Sequence, residues 1–255
     1  MTLSPDIAKI SISCYVDFIP IPKDKVKYFN CKFIDTATGA EIILILITGG
    51  IFMYDIIQIK AQLTAIAEKL EEEEPLLTKL DGLSGDGDLG ITATKISLAV
   101  NEICKLQPDS VDRLFMKLGM EINKQAPSTM GTLLAAGSMA LGKAFRGQEA
   151  LSDSDVAEIP SLLAAEIMKR GHANPGDKTI LDALVPMAET VRSVFDETGD
   201  IREAYHRGAE SAAAGADSTC GMLAKTGRAS WIAERTKDNP DGGAVLCASI
   251  AGLYR

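Results

Sequence analysis

The chain is 255 residues long, enough for one large domain or two small ones, and its 46% apolar and 24% charged residues are ordinary for a globular protein. Its 26 Lys and Arg against 35 Asp and Glu leave a net charge of −9. That balance excludes general binding to nucleic acid or to an anionic membrane, since both present phosphates that this surface repels. A phosphate-bearing ligand has to be held locally, by a metal or by backbone N–H groups.

The first fifty residues carry β-branched and aromatic runs, Ile10–Val16, Val26–Phe29 and Ile42–Ile47, separated by turn residues that include Pro20, Pro22, Gly39 and Gly49. They predict two or three strands, which bury little by themselves. This segment is either an extension leaning on a larger domain or material upstream of a start at Met53, where the pattern changes. The apolar run Ile42–Met53 is shorter than the ~20 residues a membrane helix needs. It also lacks a basic flank, so neither a membrane span nor a leader is expected.

From Tyr54 the period becomes helical, with Ile56, Ile59, Leu63, Ile66, Ala67 and Leu70 on one face. That helix is expected to end at Glu71–Pro75. Further helices are expected over 90–106, 110–123, 129–145, 153–170, 178–196, 200–224 and 241–253, with Asp153 or Asp155, Asp177 and Asp241 as starting caps. Gly171, Gly199 and Gly227 fall near breaks. The expectation is an all-α bundle of about eight amphipathic helices over 53–255, preceded by a β-rich extension over 1–52. Strands do not alternate with helices, which excludes Rossmann and TIM-barrel architectures. Five widely spaced cysteines and no C-x-x-C point to a reduced, cytoplasmic protein. His172 and His206 are too far apart for a local zinc motif and are expected at the surface.

Between the helices lie four clusters. In Leu80–Gly90, Asp81, Asp86 and Asp88 are interleaved with glycines. Converged carboxylates about 4 Å apart repel by about 4 kcal/mol per pair at an effective dielectric of about 20. Convergence therefore implies a cation, and hard oxygen ligands suit Mg²⁺ together with substrate phosphates. The alternative is a solvated turn with diverging side chains. Gly85–Gly90 also spells G-x-G-x-x-G, but no strand leads into it and its carboxylates repel a bare pyrophosphate. An EF-hand fails too, because Ile91 and Ser97 stand where Gly and Glu are required. The second cluster, Ala126–Thr132, sets small and hydroxylated residues before a helix, either for an anion or simply as caps. The third, Asn174–Asp182, is nearly a P-loop, but Asp177 stands where the lysine belongs. The fourth runs from Gly227-Arg228-Ala229-Ser230 through Glu234-Arg235 to Asp241-Gly242-Gly243-Ala244. An Arg among small residues approaches phosphate closely, and the adjoining Trp231 is expected to pack.

In this order the four clusters resemble the nucleotide-binding subunit of dihydroxyacetone kinases, the DhaL family, from about Met53 to the end. The spacing of Asp81, Asp86 and Asp88 is similar to that family's metal triad, Pro175–Thr179 to its P-G-D-K-T block, Gly227–Ser230 to its G-R-A-S block and Asp241–Ala244 to its D-P-G-A block. The resemblance implies a closed barrel of eight antiparallel helices with the nucleotide at one end. It implies that Asp81, Asp86 and Asp88 hold two Mg²⁺ ions and carry the phosphoryl-transfer chemistry. It further implies ADP or ATP bound by Ser128, Thr129, Gly131, Thr132, Gly176, Arg228, Asp241 and Gly242, with Ile180 and Leu181 on the adenine side. The acceptor, a short ketose, would sit on a separate sugar-binding (DhaK-like) subunit, and a phosphotransferase-system protein would be one source of phosphate; the alternatives are the same fold serving a tetrulose or a fatty acid on a carrier protein, or a non-catalytic nucleotide-binding regulatory module. Two departures stand out: Leu89 replaces the His typical of phosphotransferase-linked members, and Ala-Pro-Ser-Thr replaces the commoner G-A-S-G.

Overall fold

The computed structural model describes residues 10–12, 27–35, 41–48 and 53–254. The chain divides into two compact units between Phe52 and Met53. In the first, β1 (Ile10–Ile12), β2 (Lys27–Asp35) and β3 (Glu41–Thr48) form an antiparallel sheet in that order. Ile12 lies opposite Phe33, and Phe33 opposite Ile42. The β-branched and aromatic runs favour these strands. The rest of the run expected from Ile10 to Val16 lies outside the described residues.

The second unit opens with a short strand, β4 (Met53–Asp55), paired antiparallel to β5 (Ala150–Ser152), with Tyr54 opposite Leu151. The helical period read from Tyr54 therefore starts two residues later. Asp55 caps the first helix, accepting from Gln58 N–H at 2.9 Å while the Gln58 side chain accepts from Asp55 N–H. The helices are α1 (Ile56–Glu72), α2 (Glu74–Ser84), α3 (Leu89–Lys105), α4 (Val111–Gln125), α5 (Thr129–Ala144), α6 (Asp153–Gly171), α7 (Leu181–Thr198), α8 (Ile201–Ser218), α9 (Ala233–Thr236) and α10 (Gly242–Ala251). A 3-10 helix, Arg228–Ile232, precedes α9.

The sequence reading missed α2, because it took Pro75 as a terminator. Pro75 sits in the first turn of a new helix, where its missing N–H would have had no partner in any case. The cap of α6 is Ser152, reciprocated by Asp155. Asp241 caps α10 as expected, accepting from Ala244 N–H at 2.8 Å. Asp177 does not begin a helix: α7 starts at Leu181, and Asp177 accepts from Asn174 N–H within the preceding loop.

Eight helices among the described residues close a ring: α1 packs on α3, then α3 to α8 each on the next, α8 on α10 and α10 on α1. Neighbouring helices run antiparallel. Lys60 at the start of α1 reaches Leu106 beyond the end of α3, while Glu71 near the end of α1 accepts from Ser97 Oγ. Likewise Ser138 in α5 donates to the Phe115 carbonyl in α4, and Thr190 in α7 meets Ser211 in α8. Glycines set the closest crossings. A methyl at Gly215 would stand 2.2 Å from the Asp182 carbonyl oxygen in α7, and one at Gly119 would stand 2.6 Å from that of Ala135 in α5.

Leu70, Leu77, Leu114 and Leu246 fill one half of the interior and Ile167, Leu181 and Val191 the other; all are fully buried. Tyr54, Met130, Leu134, Val156 and Leu163 touch both halves, so the core runs through the ring. Burial of this kind stabilises by about 1.5–3 kcal/mol for each large apolar side chain.

Candidate functional site

The acidic loop lies between α2 and α3. Asp81 is in the last turns of α2, Asp86 is in the turn and Asp88 immediately precedes α3. Gly87 adopts φ +76°, a left-handed conformation that costs a glycine nothing and turns the chain back sharply. The turn brings one carboxylate oxygen of each aspartate within 4.8 Å of the others. The three side chains thus converge and do not diverge. Asp81 and Asp88 are half-buried and Asp86 is exposed. Asp81 Oδ2 accepts from Leu89 N–H at 3.2 Å. Burial pushes the Asp81 pKa above the usual carboxylate value; the Leu89 N–H opposes this, and the charges of Asp88 and Asp86 add to it. A buried carboxyl that also faces two other carboxylates is relieved by a divalent cation, so these three oxygens fit a hard metal ion.

The other clusters gather at the same end. Thr92 Oγ1, in the first turn of α3, donates to Ser128 Oγ at 3.0 Å, and Ser128 caps α5 by accepting from Gly131 N–H at 3.1 Å. Gly131 is required by contact: a methyl there would stand 1.9 Å from the Ala126 carbonyl oxygen. Thr129 is exposed and Thr132 half-buried. At the start of α10, a methyl on Gly242 would stand 2.8 Å from Leu89 Cδ2. One on Gly243 would stand 2.9 Å from Met130 Cε and 3.3 Å from Ile180 Cβ. The N-termini of α3, α5 and α10, and the turn leading into α7, therefore converge. Converging helix N-termini present N–H groups and positive dipole ends, which suit an anion.

Gly176, at φ +89°, lies in the loop before α7, and its N–H donates to Asp182 Oδ1. Asp182 Oδ2 also accepts from Thr179 N–H at 2.7 Å. Ile180 and Leu181 do not form a surface as expected of an adenine-facing pair. Ile180 is buried against α10 and Leu181 is 0% exposed within the core. Asp241 is held at the start of α10 between Thr219 Oγ1, which accepts its N–H at 2.8 Å, and Ala244 N–H. Burial and the neighbouring Asp182 raise its pKa to about 6, against the pull of the Ala244 N–H and of Lys178. Arg228 opens the 3-10 helix, and its side chain lies outside the described residues. Trp231 does not pack, being 87% exposed. His172 and His206 are exposed, as expected.

Thr92 was not singled out from the sequence, whereas Asp182 and Gly243 stand within the clusters read there without their contacts being foreseen. Asp182 is separated from the glycine loop it caps by ordinary helix-start residues, and Thr92 is one of several threonines on α3. Only the three-dimensional crossing shows their partners.

A closed ring of antiparallel helices, with an acidic turn and helix N-termini gathered at one end, defines an α-barrel. The DAK2 domain family matches residues 84–253, and the chain belongs to that family. The match begins just after Asp81. Among its relatives, the ADP-binding subunit DhaL of the PEP-dependent dihydroxyacetone kinase of Escherichia coli is 27% identical over 189 residues, covering 74% of this chain and 90% of that protein. The L-erythrulose kinase of Pectobacterium atrosepticum is 30% identical over 178 residues, covering 68% of this chain and 30% of that enzyme. Human triokinase/FMN cyclase is 31% identical, covering 69% and 31% respectively. The chain thus spans about a third of the two larger enzymes. The crystal structure of the dihydroxyacetone kinase from C. freundii in complex with AMP-PNP and Mg²⁺ superposes with a TM-score of 0.62 at 22% identity, over 80% of this chain and 34% of that one. At that identity the likeness is one of fold.

Proposed function

We propose that residues 53–255 form the nucleotide-binding, phosphoryl-transfer subunit of a kinase acting on dihydroxyacetone or a similar short ketose, with residues 1–52 standing outside that role. The observation that carries this reading is the convergence of Asp81, Asp86 and Asp88 with the N-termini of α5 and α10 at one end of the ring. The three aspartates would hold two Mg²⁺ ions, which when bound neutralise phosphate charge and orient the group in transit.

The chain's own residues do the positioning. Ser128 fixes the start of α5 by taking the Gly131 and Thr132 N–H groups, so that the Thr129 backbone and the Thr129 and Thr132 hydroxyls would face a phosphate, with Gly131 allowing its close approach. Asp182 holds Gly176 in its turn, and Arg228, Asp241 and Gly242 border the nucleotide. Gly131 and Gly242 keep the backbone close where a side chain would intrude. The half-buried setting of Asp81 lowers the local dielectric and strengthens each charge interaction there. A ketose would be presented by a sugar-binding partner docked over this end.

Coverage of nine-tenths of a PEP-dependent DhaL subunit favours ADP retained as a cofactor and recharged by a phosphotransferase-system protein. Leu89, in the place of that type's histidine, favours the second reading, exchange of ATP as a substrate. The relatives named for erythrulose make a tetrulose the alternative acceptor.

The test is Asp86→Ala. Calorimetry should register loss of Mg²⁺-dependent ADP and ATP binding with unchanged helicity, because an exposed loop carboxylate adds little to stability. Normal nucleotide affinity in the variant would remove the metal assignment.

A further inference from the structure

Lys178 is a buried cation with no part in the site as proposed. It is 4% exposed and sits at φ +62°, a backbone conformation that glycine or asparagine adopts far more cheaply than lysine. Its side chain explains the choice. Nζ donates to the carbonyl oxygens of Met222 at 3.1 Å, Thr236 at 2.7 Å and Asn239 at 2.8 Å. An ammonium has three N–H donors and no acceptor, so this one is fully spent on main-chain oxygens. The turn beneath it is fixed independently by Asp182, which accepts from Gly176 and Thr179.

All three carbonyls belong to one segment, 222–239, which connects α8 to α10. The base of the segment is drawn together by Gly221 N–H on the Lys237 carbonyl at 2.7 Å, and Lys225 N–H docks on the Asp177 carbonyl at 3.1 Å. The segment contains the 3-10 helix Arg228–Ile232 and α9, and both lie against α2, the helix that carries Asp81. Neither is long enough to hold its place as an isolated helix. Removing the ammonium would take a donor from three converged carbonyl dipoles, of which that of Thr236 also accepts from Asn239 N–H at 3.2 Å.

We infer that Lys178 is a positioning residue that fastens segment 222–239 against α2 and so sets it beside the carboxylate cluster for nucleotide binding. The fastening stands on the hydrogen bonds alone; its consequence for nucleotide rests on the function proposed above.

The full chain allows a direct test with Lys178→Met, which keeps length and removes the donors. Trp231 is the only tryptophan of the sequence and lies in the segment, so its fluorescence anisotropy reports on that segment. Trypsin sites at Lys225, Arg228, Arg235 and Lys237 report on its opening. In the variant, cleavage at those sites should accelerate about tenfold or more, and Mg-ATP affinity should fall by a similar factor, as expected for losing charged hydrogen bonds. Trp231 anisotropy should drop while far-ultraviolet circular dichroism holds.

Wild-type cleavage and anisotropy in the variant would overturn the inference. So would a general loss of helicity, since Lys178 would then be holding the barrel. Hydrogen exchange of the wild-type chain provides a check that needs no variant. Residues 222–239 should exchange as one unit, because Lys178 ties Met222, Thr236 and Asn239 together; independent exchange of the two ends of the segment would also overturn it. Failure of the wild-type chain to bind Mg-ATP contradicts the proposed function, yet the cleavage and anisotropy comparison still decides the role of Lys178.

Discussion

Asp241 shows how one side chain serves the fold at an electrostatic cost. Its carboxylate caps α10, but burial and Asp182 raise its pKa from 3.8 to about 6. A carboxyl whose pKa is raised on folding favours the folded state most below its unfolded value, and that contribution is lost as pH climbs through the folded value. Stability from this residue is therefore present below about pH 4 and lost by about pH 6, amounting to about 3 kcal/mol. Asn accepts the same cap bond without the charge. Asp241→Asn should raise the melting temperature of the nucleotide-free chain at pH 7, by roughly 2–4 °C per kcal/mol regained, and flatten its dependence between pH 4 and 6. An unchanged pH profile by calorimetry would show that Asp241 is not the titrating group.

At the same scale, the convergence of Asp81, Asp86 and Asp88 was legible because glycine spacing is a local property of a sequence. Trp231 was not. Burial of an aromatic residue depends on what packs above it, and the 3-10 helix turns this one outward. The inward-facing Leu181 was misread as ligand-facing for the same reason: neither spacing nor composition tells which side of a turn opens to solvent.

Among the elements, the long helices were legible to within a few residues because each carries an apolar face of period about 3.6 and many carry a capping side chain. The short elements were not. Helix α2 follows α1 with only Glu73 between them, so the reading merged its start into the end of α1, and β4–β5 is a pairing of residues almost a hundred positions apart. The order of the ring was also unreadable, because helix neighbours are chosen by small residues facing each other across a crossing. The α7–α8 crossing gives the clearest test. Gly215→Ala places a methyl 2.2 Å from the Asp182 carbonyl oxygen, which forces the helices apart and should destabilise the chain by about 1–3 kcal/mol. Because Asp182 also holds the Gly176 turn, nucleotide affinity should weaken in the same variant. Urea denaturation with a wild-type midpoint would show that the crossing yields freely.

For the whole molecule, the net charge of −9 and the position of the site at one end of the ring act together. A negative surface slows the approach of any phosphate compound unless cations are already bound, so Mg²⁺ should precede or accompany nucleotide, and association should quicken with ionic strength. No helix among the described residues is long and apolar enough to cross a membrane. Among the described residues the acidic turn and the helix N-termini meet at the loop-built end of the ring, so under the proposed function a sugar-binding partner would dock there.

The central claim, that this end holds a magnesium nucleotide, is tested most directly by native mass spectrometry of the full chain before and after a chelator wash. The account predicts one nucleotide with magnesium, carried through purification or taken up from Mg-ATP, released by the chelator and absent in Asp86→Ala. A chain that takes up no nucleotide under any magnesium concentration would contradict it.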